Sequence, residues 1–204
     1  MSIRIKPRKD IHEIIKDTQI EKDTYVPNIA ICGESPCDDV IEERLSCEDC
    51  PADTRLECPY DLRQRIKEFL IEAGCIAALF EEEETSAYAS MDEKLTLRKE
   101  DVDLVLIIPT SMGPISELSA FAEDKIIRPK IRVLVPFEFH PFYGTSESYV
   151  TSVYKELMSD YGHVYPFDVH EEMHPNPLTI VSTLVSVYKR RKLLDLTENM
   201  DNKS

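Results

Sequence analysis

The chain of 204 residues has no apolar run that approaches the ~20 residues needed to span a membrane. Its N-terminus is basic at first, but it lacks the apolar core and the small-residue cleavage site of a signal peptide. The sequence therefore predicts a cytoplasmic protein without a membrane anchor.

Basic residues are scarce relative to acidic ones: 24 Lys and Arg stand against 39 Asp and Glu, and the formal net charge is −15. Because binding to a phosphate backbone needs clusters of Lys and Arg, we expect no direct nucleic-acid binding. The hydrophobic content of 42% and the charged content of 31% are ordinary for a globular protein. The length favours one domain with a substantial core.

Apolar, strand-like segments alternate five times with segments of helical periodicity. The predicted strands are 26–32, 75–80, 103–108, 131–136 and 163–167. The predicted helices are 60–73, 115–125, 149–161 and 178–194, with a partly helical stretch within 86–97. This alternation predicts a single three-layer α/β domain with a five-stranded, mainly parallel sheet in flavodoxin-like order.

The sequence pattern also divides the chain. Residues 1–25 are predicted to form a helical extension, since Ile11, Ile14 and Ile15 recur at helical spacing. Residues 26–196 form the α/β domain, with a cysteine-rich insertion at 37–58. The polar residues 197–204 are predicted to be a disordered tail.

Four of the six cysteines fall within the insertion, whereas Cys32 and Cys75 adjoin apolar strands and are expected in the core. The four are spaced C-x9-C-x2-C-x7-C: Cys37, Cys47, Cys50 and Cys58. A C-x2-C pair forms a chelating turn, and two flanking thiolates complete a tetrahedral zinc shell. We expect one structural Zn²⁺. A four-cysteine iron–sulfur cluster and free or redox-switchable thiols are the alternatives.

The third strand is followed by a turn and a helix with one acid, Glu117, near its start. The predicted helix start at Ile115 places Glu117 in the first turn, facing the crevice at the carboxyl end of the sheet, where ligands of open α/β folds bind. Asp103 opens the same strand at its other end and is not assigned to catalysis. A simpler interpretation is that Glu117 only complements the helix dipole.

The stretch from Ser111 through Gly113, Pro114, Glu117 and Leu118 to Ala122 resembles the signature of the nucleoside 2-deoxyribosyltransferase family. It resembles Toll/interleukin-1 receptor (TIR)-like domains more loosely. The segment 29–36, with its Gly-Glu-Ser-Pro turn, is similar to the first strand and glycine turn of those folds. Pro114 and Ser119 stand where the family carries threonine and glycine.

The resemblance implies an N-glycosidase or a deoxyribosyltransferase-like enzyme acting on a nucleoside, a nucleotide or NAD. Glu117 would be catalytic, and the substrate-binding residues would be Gly33, Glu34, Ser111 and Gly113. The alternative is a non-catalytic, TIR-like module that senses nucleotides or binds proteins. Homo-oligomers are possible, because related folds build sites across dimer interfaces.

Three further candidates follow other predicted strands. The acids 81–84 could rim the crevice, although a solvated loop is the simpler interpretation. His140 and His174 lie in loops on the same side of the sheet and could contact a base or a phosphate. Taken singly, each is expected to be a surface histidine.

Overall fold

The computed structural model describes residues 25–33, 59–80, 89–110, 112–144, 148–160, 163–167 and 176–201. The chain divides into two compact units, one of residues 27–183 and one of residues 1–26 with 184–204. The first unit contains the whole sheet. In the described part of the second unit, the Tyr25 and Tyr188 rings lie 6.4 Å apart, and Lys192 Nζ lies 5.9 Å from the Tyr188 ring centroid.

Strands and helices alternate along the described residues, as predicted. The strands are β1 (Asn28–Cys32), β2 (Ile76–Leu79), β3 (Leu104–Ile107), β4 (Ile131–Pro136) and β5 (Val164–Phe167). The helices are α1 (Pro59–Glu72), α2 (Ala89–Leu97), α3 (Met112–Ala122), α4 (Tyr149–Asp160) and α5 (Pro177–Asp201), with short 3-10 helices at Arg128–Lys130 and Phe137–Phe139. Helix α5 extends seven residues beyond its predicted end, since no proline or glycine interrupts it.

The five strands form one sheet in the order β2-β1-β3-β4-β5, and every pair is parallel. This confirms the predicted α/β class and the flavodoxin-like order. The order reverses at β1, which pairs with β2 on one side and with β3 on the other. The carboxyl ends of β1 and β3 therefore border the topological switch point, where open α/β sheets bind ligands.

Both faces of the sheet are buried, which explains why the strands are apolar throughout. Alternate strand residues such as Cys32, Val105 and Val133 belong to one core cluster, together with residues of α2, α3 and α4. The intervening residues, among them Ile31 and Leu106, are equally buried but lie outside that cluster. The alternation places them on the opposite face, which gives the three layers.

Asp103 stabilises the pairing of β1 and β3 at the amino ends of these two strands. Its carboxylate oxygen Oδ2 accepts a hydrogen bond from the Asn28 backbone N–H at 2.9 Å, and its own N–H donates to the Asn28 carbonyl at 2.9 Å. These bonds join β1 and β3 at the end remote from the switch point. The sequence does not assign Asp103 to catalysis, because it opens the strand at the other end, and this geometry agrees with that interpretation.

Candidate functional site

The switch-point crevice begins where β1 and β3 end side by side. Cys32 pairs with Ile107, and the Ile108 N–H donates to the Cys32 carbonyl at 3.1 Å. Gly33 follows directly, and a Cβ on it would lie 3.2 Å from the Ile108 carbonyl oxygen. The structure thus places Gly33 against the segment that leads from β3 into α3.

Gly33 also lies against the side chain of a buried arginine. Arg63 on α1 is 0% exposed, and its Cδ would lie 2.6 Å from a Cβ on Gly33. Burying a guanidinium is costly unless an anionic or polar partner compensates it. Sequence analysis missed Arg63. The available signal was its place on the apolar face of α1, at i, i+3 and i+7 with Ile66 and Leu70.

Helix α3 begins at Met112, three residues before the predicted start. Glu117 is consequently the sixth residue of the helix, and the prediction that it lies in the first turn is wrong. Pro114 was the misleading residue. It occupies the third helical position, where a missing N–H costs nothing, because the first N–H groups of a helix have no intrahelical acceptor. Ser116 does not cap the helix; its hydroxyl donates to the Met112 carbonyl at 2.9 Å.

Glu117 is half-buried on one flank of α3. The sheet-facing residues of the helix are Pro114, Leu118 and Phe121. Ala120, one turn beyond Glu117, accepts a hydrogen bond from Lys94 Nζ of α2 at 3.3 Å. Since residues i and i+3 share a helix side, Glu117 lies on the flank that faces α2.

Asp124, just beyond the C-terminal end of α3, links the same flank to α2. The Asp124 carboxylate accepts hydrogen bonds from Ile126 and Ile127 N–H and lies 4.0 Å from Lys94 Nζ and 3.8 Å from Arg98 Nε. Burial would raise the pKa of Asp124, but these hydrogen bonds and cations together lower it below its ordinary value. Asp124 therefore stays ionised and holds α2 beside α3.

Of the remaining predicted substrate-binding residues, only Gly113 is described. It is exposed on the first turn of α3, and a Cβ there would meet nothing within 4 Å. The fold itself does not require glycine at this position, whereas close approach of a ligand to the backbone would. Glu34 and Ser111 lie outside the described residues, as do the acids 81–84 and His174.

A cavity of about 370 Å³ lies on the other flank of α3. Its walls come from the carboxyl ends of β3 and β4 and from α3 and α4. The apolar part of the wall is Pro109, Ile115, Pro136, Phe139 and Val150, and the hydroxyl groups are those of Thr110, Ser148, Thr151 and Tyr154. Ile115 lines the cavity and is two residues before Glu117, so the two side chains leave α3 on different sides. The cavity and Glu117 therefore lie on different flanks of the helix.

The rim of this cavity includes a reciprocal cap of α4. The Thr151 N–H donates to the Ser148 hydroxyl at 3.4 Å, and the Ser148 N–H donates to the Thr151 hydroxyl at 3.2 Å. The two hydroxyl oxygens are 3.1 Å apart. This is the geometry of a capping box in which threonine replaces the usual glutamate. It fixes the start of α4 and hence one wall of the cavity.

His140 holds the loop that supplies Phe139 to the cavity wall. The His140 ring is 1% exposed, stacks on Tyr143 with centroids 4.6 Å apart, and accepts the Phe142 N–H at Nδ1. Burial lowers its pKa, and a hydrogen bond to the Val164 backbone opposes that effect. The expectation of a surface histidine is therefore wrong: His140 is a neutral anchor between this loop and β5.

The zinc prediction falls outside the described residues, since Cys37, Cys47, Cys50 and Cys58 all lie in the range 34–58. In the part of the chain that the structure describes, no group of three or more metal-ligating side chains occurs. Cys32 and Cys75 are buried and are not in a disulfide, as expected of core cysteines. Structural zinc therefore stays a prediction.

Comparison with known proteins adds no family assignment. No family model matches the chain, and no curated protein matches it significantly. Among the described helices, none is long and apolar enough to cross a membrane. The geometry of the switch point is thus what bears on function.

Proposed function

We propose that the crevice bordered by Gly33 and α3 binds a nucleoside, a nucleotide or NAD, and that Glu117 assists cleavage of the N-glycosidic bond. The supporting observation is the placement of Glu117 on the α2-facing flank of α3, the helix that follows the strand whose end adjoins Gly33. Ligands of open α/β sheets bind at the carboxyl ends of the strands around the switch point, which supports a role for a carboxylate on this helix.

The chemistry requires a carboxylate near the anomeric carbon of the sugar. As the bond from that carbon to the base nitrogen breaks, its electron pair leaves with the base, and positive charge develops on the sugar. The electron pair neutralises the pyridinium nitrogen of NAD, whereas a nucleobase leaving a nucleoside takes up a proton. Glu117 would stabilise this charge or bond covalently to the anomeric carbon. Attack by water, or by an acceptor base in a transferase, would then release the glutamate as carboxylate.

The surroundings of Gly33 bear on ligand approach. The backbone there is enclosed on two sides, by Arg63 and by the Ile108 carbonyl, while Gly113 leaves open space at the start of α3. An incoming sugar or phosphate would meet the backbone at the exposed N-terminal turn of α3, where free N–H groups attract anions and hydroxyls. Glu34 and Ser111 remain predicted members of the same site.

The test is release of nicotinamide from NAD and of free base from nucleosides by the purified chain. Glu117→Gln is nearly isosteric but can neither attack nor balance positive charge. We expect a loss of turnover of at least ~100-fold with ligand binding largely retained. Glu123→Gln, an exposed acid just past the end of the same helix, is the matched control and should keep full activity.

Three results would reject the catalytic proposal. Wild-type turnover in Glu117→Gln would show that the residue is only a helix acid. Binding of NAD or a nucleotide without any cleavage would instead support the TIR-like sensing module, and the absence of both binding and cleavage would leave a protein-interaction role.

A further inference from the structure

The cavity between α3 and α4 has the size of a small-molecule site. Its volume of about 370 Å³ falls at the lower end of the ~300–1,000 Å³ typical of ligand pockets. It opens at the carboxyl ends of β3 and β4, one strand away from the switch point. Because it lies on the opposite flank of α3 from Glu117, it is a separate site from the proposed catalytic crevice.

Tyr154 places a buried polar group in the wall of this cavity. The residue is 2% exposed, and its ring belongs to the core cluster with Val153 and Leu157. Burial alone raises the pKa of the phenol, and within the described part of the chain no hydrogen bond contributes to the shift. The phenol is therefore protonated at any physiological pH and offers an O–H donor, which a buried tyrosine normally gives to an acceptor.

The rest of the wall defines the charge and shape of an occupant. None of the described lining residues is charged, so these walls offer an ion no counter-charge. Pro109, Pro136 and Phe139 contribute rigid apolar rings to the lining, a composition that suits a planar ring. The hydroxyls of Thr110, Ser148 and Thr151 add polar contacts near the rim.

We propose that this cavity is a second binding site, which takes a small, neutral, planar heterocycle and hydrogen-bonds an acceptor atom of that ring through the Tyr154 hydroxyl. Free nucleobases and nicotinamide belong to this chemical class. The assignment depends on the cavity walls alone and does not require that Glu117 be catalytic.

The experiment measures binding of nicotinamide and of adenine to the full chain by titration calorimetry. Nicotinate is the matched probe, since it has the same shape but carries a negative charge. We expect both neutral probes to bind with a Kd below about 1 mM and nicotinate to bind at least ten-fold more weakly. Equal affinity for nicotinamide and nicotinate would overturn the proposal.

Two variants locate the site. Tyr154→Phe removes only the hydroxyl and should weaken nicotinamide binding about five-fold to ten-fold, the equivalent of one neutral hydrogen bond. Tyr143→Phe is its control, because that phenol is 61% exposed and does not line the cavity. Ile115→Phe should fill the cavity and abolish binding, whereas Ile126→Phe, at an isoleucine outside the cavity wall, should not.

Binding that survives both Tyr154→Phe and Ile115→Phe would reject the cavity as the site, and so would the absence of binding by either neutral probe. The result of this binding test is independent of whether the chain cleaves N-glycosidic bonds. Tyr154→Phe should leave any cleavage of NAD unchanged, and a chain without cleavage activity can still bind the neutral probes in the cavity.

Discussion

The side chain of Arg63 occupies the space that a side chain at Gly33 would need. A Cβ on Gly33 would lie 2.6 Å from Arg63 Cδ, closer than real Cβ atoms approach a neighbour, and 3.2 Å from Nε, which is a tight contact. Helix α1 is thereby packed against the end of β1 at the switch point. Among the described glycines, a positive φ is found at Gly74 and not at Gly33. Close packing, and not backbone conformation, therefore requires the glycine at position 33.

Gly33→Ala is expected to lower the free energy of unfolding by about 1–3 kcal/mol, as overpacking a filled core site does. Gly113→Ala is the matched control, because its Cβ would meet nothing, and it should be neutral or stabilise by up to about 1 kcal/mol through helix propensity. Denaturant unfolding of both variants is the measurement. Equal stabilities would contradict the packing at Gly33.

Asp103→Ala should destabilise the protein by about 1–3 kcal/mol. The substitution removes the carboxylate that accepts the Asn28 N–H and leaves that donor without its acceptor. Asp101→Ala, an exposed acid two residues earlier, should stay within about 0.5 kcal/mol of wild type. Thermal or urea unfolding at one pH distinguishes the two, and a similar loss in both would argue against a specific role for Asp103.

His140 should make stability depend on pH. Because burial holds its folded-state pKa below the ordinary 6.5, the unfolded chain binds more protons below that pH. The stability contribution of neutral His140 is therefore present above pH 6.5 and is lost as the pH falls below it. The loss is at most about 1.4 kcal/mol per pH unit.

Urea unfolding at about pH 7.5 and about pH 5.5 measures this dependence, since the interval spans the ordinary histidine pKa. His140→Gln should be less stable than wild type at the higher pH but should lose less stability on acidification. Asp124, whose pKa is lowered, contributes in the same direction in both proteins, so the difference between them isolates His140. Identical pH slopes would rule out His140 as the titrating group.

The cysteine-rich segment is predicted to hold one zinc ion per chain through Cys37, Cys47, Cys50 and Cys58. Metal analysis of purified protein should find it, and Cys47→Ser should release it, since three thiolates bind the ion less well than four. Cys75→Ser, at a buried core cysteine, should retain the metal. Bound iron with sulfide would favour the cluster alternative, and metal-free protein would favour free thiols.

Local sequence signals predicted most of the fold. The bounds of β4 agree with the prediction to the residue, because an apolar run between Pro129 and Pro136 is limited at both ends. The start of α3 was wrong for a local reason. Proline is tolerated at several positions of a first helical turn, and the sequence does not say which one it takes.

The missed features of the site depend on partners distant in sequence. Arg63 and Arg65 are indistinguishable by residue type, yet the first is fully buried and the second exposed, because only the first meets the end of β1. His140 is buried by its own loop and by Val164, which lies 24 positions later. The cavity exists because α3 and α4 pack side by side, which no local pattern records.

The hydrogen bond between Asn28 and Asp103 joins residues 75 positions apart. This separation affects how the chain folds while it is being synthesised. β1 is made first among the strands, yet its second neighbour, β3, ends only at Ile107, in the second half of the chain. A nascent chain that stops short of β3 has β2 as its sole native partner for β1. The edge of β1 that pairs with β3 in the folded protein then stays open to wrong pairing until β3 has been synthesised.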